Sequence, residues 1–265
     1  LTKLYAELAI EVCYIDTVRG KSAYLFGALA VWRALKRFSP DVVHIHYGLT
    51  QLMCWPIFRT PVVVTLHGSD LTIPWQRAIS RAMFRERWKL VVVSDKLREY
   101  LPAYQDTTTV PCGVDAKKFC VDRDQARRSL CFSADERVIL FGSNPKRSVK
   151  RYDRFEAVAA VLMGRLKNIR TVRLSDVSVN DAPSLIAASD VLVLTSDREG
   201  SPIVTKEALC SGTRVVSTPV GDISMQLQGF SGCRVSSWDT NEIASHVVAA
   251  LGEDRPDNAR AADLF

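Results

Sequence analysis

The sequence has no uninterrupted apolar run of 18 residues, no Cys-x-x-Cys pair, no Gly-x-Gly-x-x-Gly opening a helix, and no internal repeat or low-complexity linker. Each absence removes a class of protein. Without a long apolar run no membrane-spanning helix is expected, and the first residues, Leu1-Thr2-Lys3-Leu4-Tyr5, lack the apolar middle of a signal peptide. The seven cysteines (Cys13, Cys54, Cys112, Cys120, Cys131, Cys210 and Cys233) are odd in number and scattered. They read as reduced thiols of a cytoplasmic protein, and no close Cys or His spacing supplies a metal site, so no metal is expected. The missing dinucleotide fingerprint argues against a nicotinamide oxidoreductase. Nucleic acid is not an expected partner either, because no aromatic residues are interleaved with the basic ones as a stacking platform.

What is present is an alternation. Strand signals fall at 10–15, 42–45, 62–66, 90–93, 108–110, 138–141, 171–174, 191–194, 214–217 and 233–235, with helical patterns between most of them. Alternation of this kind predicts an α/β protein with parallel sheets wrapped by helices. A chain of 265 residues with 47% hydrophobic content can fill one large core or two of about 120 to 140 residues. The turn Pro111-Cys112-Gly113-Val114-Asp115 and the polar stretch 122–136 set the expected boundary at Phe119, giving domains 1–119 and 120–265. Charge divides unevenly between them: residues 1–120 hold 16 Lys and Arg against 10 Asp and Glu, and residues 121–265 hold 19 against 19. The whole net charge of +6 therefore belongs to the first domain.

The densest chemistry follows the apolar segment 191–194. Glu199-Gly200-Ser201-Pro202-Ile203-Val204-Thr205-Lys206-Glu207 reads as a turn feeding a helix from about Pro202 to Ser211, stopped at Gly212. Such a helix start points unpaired N–H groups, those near Ile203 and Val204, and a partial positive charge at its surroundings, which suits a diphosphate. A carboxylate one turn further in, Glu207, suits adjacent ribose hydroxyls, and Glu199 suits the sugar. The alternative is an N-terminal helix charge and a solvated face. A second constellation, Gly142-Ser143-Asn144-Pro145-Lys146-Arg147-Ser148-Val149-Lys150-Arg151, follows the strand at 138–141 and crowds cations into a loop where doubly wound sheets bind ligands.

The run Glu199 to Glu207, continued by Ala-Leu-Cys-Ser-Gly212-Thr-Arg-Val-Val-Ser217-Thr-Pro-Val-Gly221-Asp222, resembles the retaining glycosyltransferases of family 4, with their Glu, seven residues, Glu hallmark. The resemblance implies a GT-B fold, two Rossmann-like domains with parallel sheets facing across a cleft. The first would be an incomplete acceptor-side domain and the second the nucleotide-sugar domain. It implies transfer of a sugar, with retention, from a UDP-, GDP- or ADP-sugar to an acceptor hydroxyl on a lipid-linked or polysaccharide glycan, with no metal cofactor. Arg147 and Lys150 match the family's diphosphate-neutralising Arg and Lys. Gly142, Ser143, Gly200, Ser201, Pro202, Ile203, Val204 and Glu207 would line the donor site. His67, in Leu66-His67-Gly68-Ser69-Asp70, matches the family's His-Gly motif and would face the donor sugar. His46 and Gly48, in His44-Ile45-His46-Tyr47-Gly48, look like a second cleft loop with either a structural or an acceptor role, and Asp70 would lie on the acceptor side.

The sequence departs from the family at its ends. A strand and glycine-rich loop usually precede 10–15, and a longer final helix usually follows Leu251, so a sugar-nucleotide-binding protein without turnover is the alternative expectation. Arg77, Arg81, Arg85 and Lys89 recur every four residues and predict a basic helical ridge, either able to contact an anionic membrane peripherally or simply a solvated helix face. Asp122-Arg123-Asp124 spells a metal-binding Asp-x-Asp, but it approaches a helix, where capping is the expected role.

Overall fold

In the computed structural model, described residues are 10, 22–54, 57, 59–103 and 105–265, with the side chains of 22–26 outside that description. Apart from Ile10, the predicted strand at 10–15 lies outside the described residues, as do residues 1–5 and Cys13. The chain divides into two compact units, Leu1–Val110 and Pro111–Phe265.

The first unit holds α1 (Ser22–Phe38), β1 (Val43–His46), β2 (Val62–Leu66), α2 (Ser69–Thr72), α3 (Pro74–Ala82), β3 (Lys89–Val92) and β4 (Thr107–Thr109). Its four strands form a parallel sheet in the order β1-β2-β3-β4. Side chains alternate between sheet faces. Ile45, Val62, Val64, Leu66, Leu90 and Val92 are all buried. Between them, His44, His46, Val63 and Thr65 project to the opposite face, which the register aligns as His44 beside Val63 and His46 beside Thr65.

The second unit runs α4 (Ala116–Phe119), α5 (Arg123–Ser129), β5 (Arg137–Phe141), α6 (Tyr152–Arg165), β6 (Ile169–Arg173), α7 (Ala182–Ala188), β7 (Val191–Leu194), α8 (Ile203–Cys210), β8 (Arg214–Ser217), α9 (Ile223–Gln226), β9 (Arg234–Val235), α10 (Thr240–Leu251) and α11 (Asn258–Leu264). Its five parallel strands are ordered β6-β5-β7-β8-β9. Both faces of the inner strands β5, β7 and β8 are buried, which is why these read as apolar runs. Ile139, Phe141, Val191, Val193 and Val216 pack with Phe155, Val158 and Leu162 of α6 and with Ile243, Ala244 and Val247 of α10. The intervening Leu140, Leu192 and Val215 pack on the other side with Leu185 and Ile186 of α7 and with Ala208 and Leu209 of α8.

The units divide nine residues before the expected boundary at Phe119. Residues 111–119 belong to the second unit because its core holds them: Phe119 is buried there, the Val114 N–H donates to the Phe265 carbonyl at 3.2 Å, and the buried Lys206 donates to the Cys112 carbonyl at 2.8 Å. The sequence reading also missed α11, whose N-cap Asp257 accepts from the N–H groups of Ala259 and Arg260.

The basic ridge is not one helical face. Trp88, 1% exposed, anchors the chain as it turns into β3, and α3 ends at Ala82. Arg85 lies past that end with its guanidinium 5.0 Å from the Trp88 ring, and Lys89 belongs to β3 and pairs with Asp106. Arg77 sits 5.2 Å from the Tyr100 ring, leaving Arg77 and Arg81 as the ridge members carried by α3. No described helix is long and apolar enough to cross a membrane. Asp122 is the N-cap of α5, accepting from the Gln125 N–H at 2.6 Å, so capping explains the Asp-x-Asp spelling.

Candidate donor-site and histidine loops

The order β6-β5-β7-β8-β9 changes direction between β5 and β7, the topological switch point where loops leaving two neighbouring strands diverge and open a crevice. Both constellations named from the sequence leave the carboxyl ends of these two strands. Gly142 begins the first loop, and a Cβ there would lie 2.5 Å from Leu192 Cδ1 and 3.2 Å from Val204 Cγ2, so the chain passes closer than a side chain allows.

The two loops are stitched together. Thr195 Oγ1 donates to the carbonyls of Lys150 and Arg151, each at 3.0 Å, and the Asp197 N–H donates to the Val149 carbonyl at 3.0 Å. Arg154, on the first turn of α6, donates to the Thr195 carbonyl at 2.6 Å and pairs with Asp197 at 3.0 Å. Arg151 bridges Asp153 and Asp197. On this frame, Lys150 Nζ lies 2.5 Å from Glu199 Oε1, with both side chains 13% exposed. Ser196 Oγ donates to the same carboxylate oxygen at 2.7 Å. Lys150 and Glu199, 49 residues apart, therefore share one site. Arg147 is not drawn into it: its side chain is exposed and makes no hydrogen bond or ion pair among the described residues.

The turn after Glu199 is shaped by Gly221, at φ +54°. A Cβ there would come within 2.5 Å of the Gly200 carbonyl oxygen. Ser201 Oγ donates to Asp222 Oδ2 at 2.8 Å and Gln226 Nε2 to Oδ1 at 2.7 Å, and burial pushes the Asp222 carboxyl upward despite these bonds. Pro202 is the N-cap of α8 rather than a member of its first turn, because its ψ of 118° is extended. No side chain caps that helix, so the N–H groups of its first turn at Ile203 and Val204 keep their donor capacity. Glu207 lies one turn further in. Its carboxylate makes no hydrogen bond or ion pair among the described residues, and burial pushes its pKa up. Neighbouring Lys206 turns away toward Cys112 and Phe265.

In the first unit, the loops after β1 and β2 are joined by Asp70. This fully buried carboxylate accepts from the N–H groups of Gly48 at 3.0 Å, His67 at 3.1 Å and Gly68 at 2.8 Å. Fully buried and bound by three backbone donors, Asp70 staples the loops and has no exposed oxygen for the acceptor contact expected from the sequence. Tyr47 adopts φ 81° and ψ 131°, a conformation held by its hydroxyl bond to Gln76 at 2.6 Å. Beside it, His46 Nδ1 lies 3.1 Å from His67 Nε2. A Cβ on Gly48 would fall 2.1 Å from Ser80 Oγ and 3.2 Å from Asp70 Cβ. Gly48→Ala is therefore expected to lower stability by about 1–3 kcal/mol through overpacking. Thermal denaturation checks this, and Ser80→Ala in the same chain should recover part of the loss.

Sequence reasoning missed Thr195, Ser196, Arg154 and Asp197. The available signal was polar residues placed directly after an apolar strand at the switch-point edge.

Residues 7–118 match the family model described as Glycosyltransferase Family 4, and residues 125–253 match that described as Glycosyl transferases group 1. Among curated proteins, the chain is 23% identical over 256 residues to N-acetyl-alpha-D-glucosaminyl L-malate synthase of Bacillus anthracis, covering 83% of this chain and 67% of that protein. It is 25% identical over 278 residues to D-inositol 3-phosphate glycosyltransferase of Mycobacterium ulcerans (strain Agy99), covering 86% of this chain and 60% of that one, less than two thirds of its length. Among solved structures it resembles sucrose-phosphate synthase of Thermosynechococcus elongatus, with TM-score 0.70 and 17% identity, covering 96% of this chain and 73% of that one. It also resembles Anabaena Alr3699/HepE in complex with UDP and glucose, with TM-score 0.66 and 16% identity, covering 99% and 87%. At these identities the structural likeness establishes the fold.

Proposed function

We propose that this chain, whose residues 7–118 and 125–253 match two glycosyltransferase family models and whose fold resembles GT-B enzymes, moves a sugar from a nucleotide diphosphate sugar to an acceptor hydroxyl with retention at the anomeric carbon. The observation that carries this reading is the Lys150–Glu199 pair at the switch point of the second sheet, beside the uncapped start of α8. An ammonium and a set of helix-start N–H groups offer a diphosphate its counter-charge, and a carboxylate next to them offers the sugar an acceptor for its hydroxyls. Glu207 takes the ribose hydroxyls. Its lack of a protein partner and its raised pKa fit a group whose hydrogen bonds come from a ligand.

As the glycosyl bond breaks, negative charge builds on the departing diphosphate. Lys150 and the N–H groups of Ile203 and Val204 stabilise it by preorganised electrostatics, and Arg147, exposed on the same loop, adds counter-charge to the donor diphosphate. With the Glu199 carboxylate engaged by Lys150 and Ser196, the acceptor itself attacks the face the leaving group departs from, and the leaving phosphate takes the hydroxyl proton. His67 is assigned to the donor sugar. The positive charge of residues 1–120 suits an anionic acceptor, such as a lipid-linked or polysaccharide glycan bearing phosphate or carboxylate.

Thermal-shift screening against UDP-, GDP- and ADP-sugars tests donor binding, and release of nucleoside diphosphate with a lipid extract present tests transfer. Stabilisation by none of the donors would remove the proposal. Glu207→Gln separates binding from folding. A carboxyl whose folded pKa is raised supports the fold fully below its unfolded value of about 4.3 and loses that support as pH rises through the folded value. At pH 7 the variant is therefore expected to melt higher than the parent, and at pH 4 to melt equally. Its affinity for the stabilising nucleotide should fall about 10- to 100-fold, the loss of charge-assisted hydrogen bonds to two hydroxyls. Calorimetry at pH 7 measures that change.

A further inference from the structure

We propose that Asp222 and Gln226, on the segment after β8, are positioning residues that aim the start of α8 at the donor diphosphate. The inference rests on the assignment of that diphosphate to the N–H groups of Ile203 and Val204, and it adds two residues that the donor reading does not use.

β8 pairs with β7, so the segment leaving β8 stands beside the turn that β7 feeds. Four side chains close a circuit there. Ser201 Oγ donates to Asp222 Oδ2 at 2.8 Å, Gln226 Nε2 donates to Asp222 Oδ1 at 2.7 Å and to Ser201 Oγ at 3.2 Å, and Thr205 Oγ1 donates to Gln226 Oε1. Ser201 precedes the N-cap Pro202, and Thr205 is the third residue of α8. The circuit therefore grips the chain on both sides of the two N–H groups at 203 and 204. Thr205 is fully buried and Gln226 is 4% exposed, so bulk water does not replace a partner lost from either.

The chemistry allows this circuit one arrangement. An ionised carboxylate only accepts, so the Ser201 hydroxyl and the Gln226 NH₂ must donate to Asp222; the amide oxygen then faces Thr205, whose hydroxyl must donate to it. Asp222 is not itself suited to hold the diphosphate, because two anions repel. Burial pushes its pKa up, against the bond from Ser201, the charge of Lys206 and the bond from Gln226. What it supplies is direction. Helix-start N–H groups grip a diphosphate best when both point at it before it arrives, so a start left free to rock loses affinity without losing any group that touches the ligand.

The experiment compares Asp222→Ala with Asp222→Asn in the full chain. Asparagine accepts from Gln226 through its oxygen and donates to Ser201 through its nitrogen, which closes the circuit without the charge. Crystal structures without ligand should show residues 201–204 of Asp222→Ala shifted or in more than one conformer, and those of Asp222→Asn in their parental positions. Calorimetry with UDP, GDP and ADP should find the nucleotide that the parent binds held about tenfold more weakly by Asp222→Ala and within about threefold of the parent by Asp222→Asn. Ser201→Ala cuts the circuit on the turn's own side and should reproduce the shift, which keeps the test in hand if Asp222→Ala does not fold. An unmoved turn in these alanine variants would overturn the proposal, as would an Asp222→Asn protein that binds as weakly as Asp222→Ala. A parent that binds none of the three nucleotides would instead sink the donor reading, while the unliganded structures would still decide whether Asp222 and Gln226 set the turn.

Discussion

Lys150→Ala is expected to lower kcat for sugar transfer by about 10²–10³-fold, the cost of one preorganised donor to a developing negative charge, or roughly 3–4 kcal/mol. The geometry explains why one residue of a cation-rich loop should dominate. Lys150 alone among Lys146, Arg147 and Lys150 has its charged end drawn into a site that is only 13% exposed, where low local dielectric makes its charge count for more than a solvated one. An ammonium has three donors, so Lys150 can keep its bond to Glu199 while it receives a phosphate oxygen. Arg147 extends into solvent in the absence of ligand, and Arg147→Ala should therefore act more weakly, mainly on donor KM. The pairing makes a double-mutant cycle informative. Lys150→Ala leaves Glu199 with Ser196 as its remaining side-chain partner, so Glu199→Ala and Lys150→Ala should combine to much less than the product of their separate effects. Steady-state nucleotide release with the four proteins checks this. A Lys150→Ala enzyme within threefold of the parent would remove the ammonium from the mechanism.

Strands were legible where burial is two-sided. The expected 191–194, 214–217 and 62–66 coincide with β7, β8 and β2, because apolar runs of that length between turn residues have few other homes. Glu199, Gly200 and Pro202 were legible as a strand-to-helix turn for the same local reason. The stitching of that turn to the Lys150 loop was not, because Thr195, Asp197 and Arg154 meet across 41 to 45 residues of chain and only the strand order brings them together. The ridge reading failed on a related point. Spacing by fours assumes an unbroken helix, and α3 ends at Ala82, before Arg85 and Lys89. Asp70 was misread because a carboxylate after a His-Gly turn looks the same in sequence whether it faces substrate or binds the turn's own N–H groups. Folding decided for the second, at full burial.

Asp190→Ala should cost the second unit about 3–5 kcal/mol, enough to lower its melting temperature by roughly 10 °C. Asp190, 8% exposed, stands just before β7 at the sheet edge opposite the donor loops. Its Oδ1 accepts from Arg123 at 2.6 Å, and its Oδ2 from Arg127 at 3.3 Å and from the Val138 N–H at 2.8 Å. Arg127, 6% exposed, is held there by more than this carboxylate, since it also donates to the carbonyls of Ala188, Ser133 and Glu136. Arg127 cannot leave when the carboxylate is removed, so the cost is that of a buried cation without a counter-charge, together with an orphaned N–H at the second residue of β5. Arg255 raises the stakes: burial and its cationic neighbours hold its pKa down to about 10, and Asp190 is the acid that opposes them. Asp190→Asn, which can keep the bond to Val138 but not the charge, should recover only part of the loss. Arg123→Met added to Asp190→Ala should recover more, because it removes a cation that opposes Arg255. Chemical denaturation followed by circular dichroism measures all three. A loss below about 1 kcal/mol in Asp190→Ala would mean that the helix-end carbonyls alone neutralise this cluster, and that the carboxylate is dispensable to the fold.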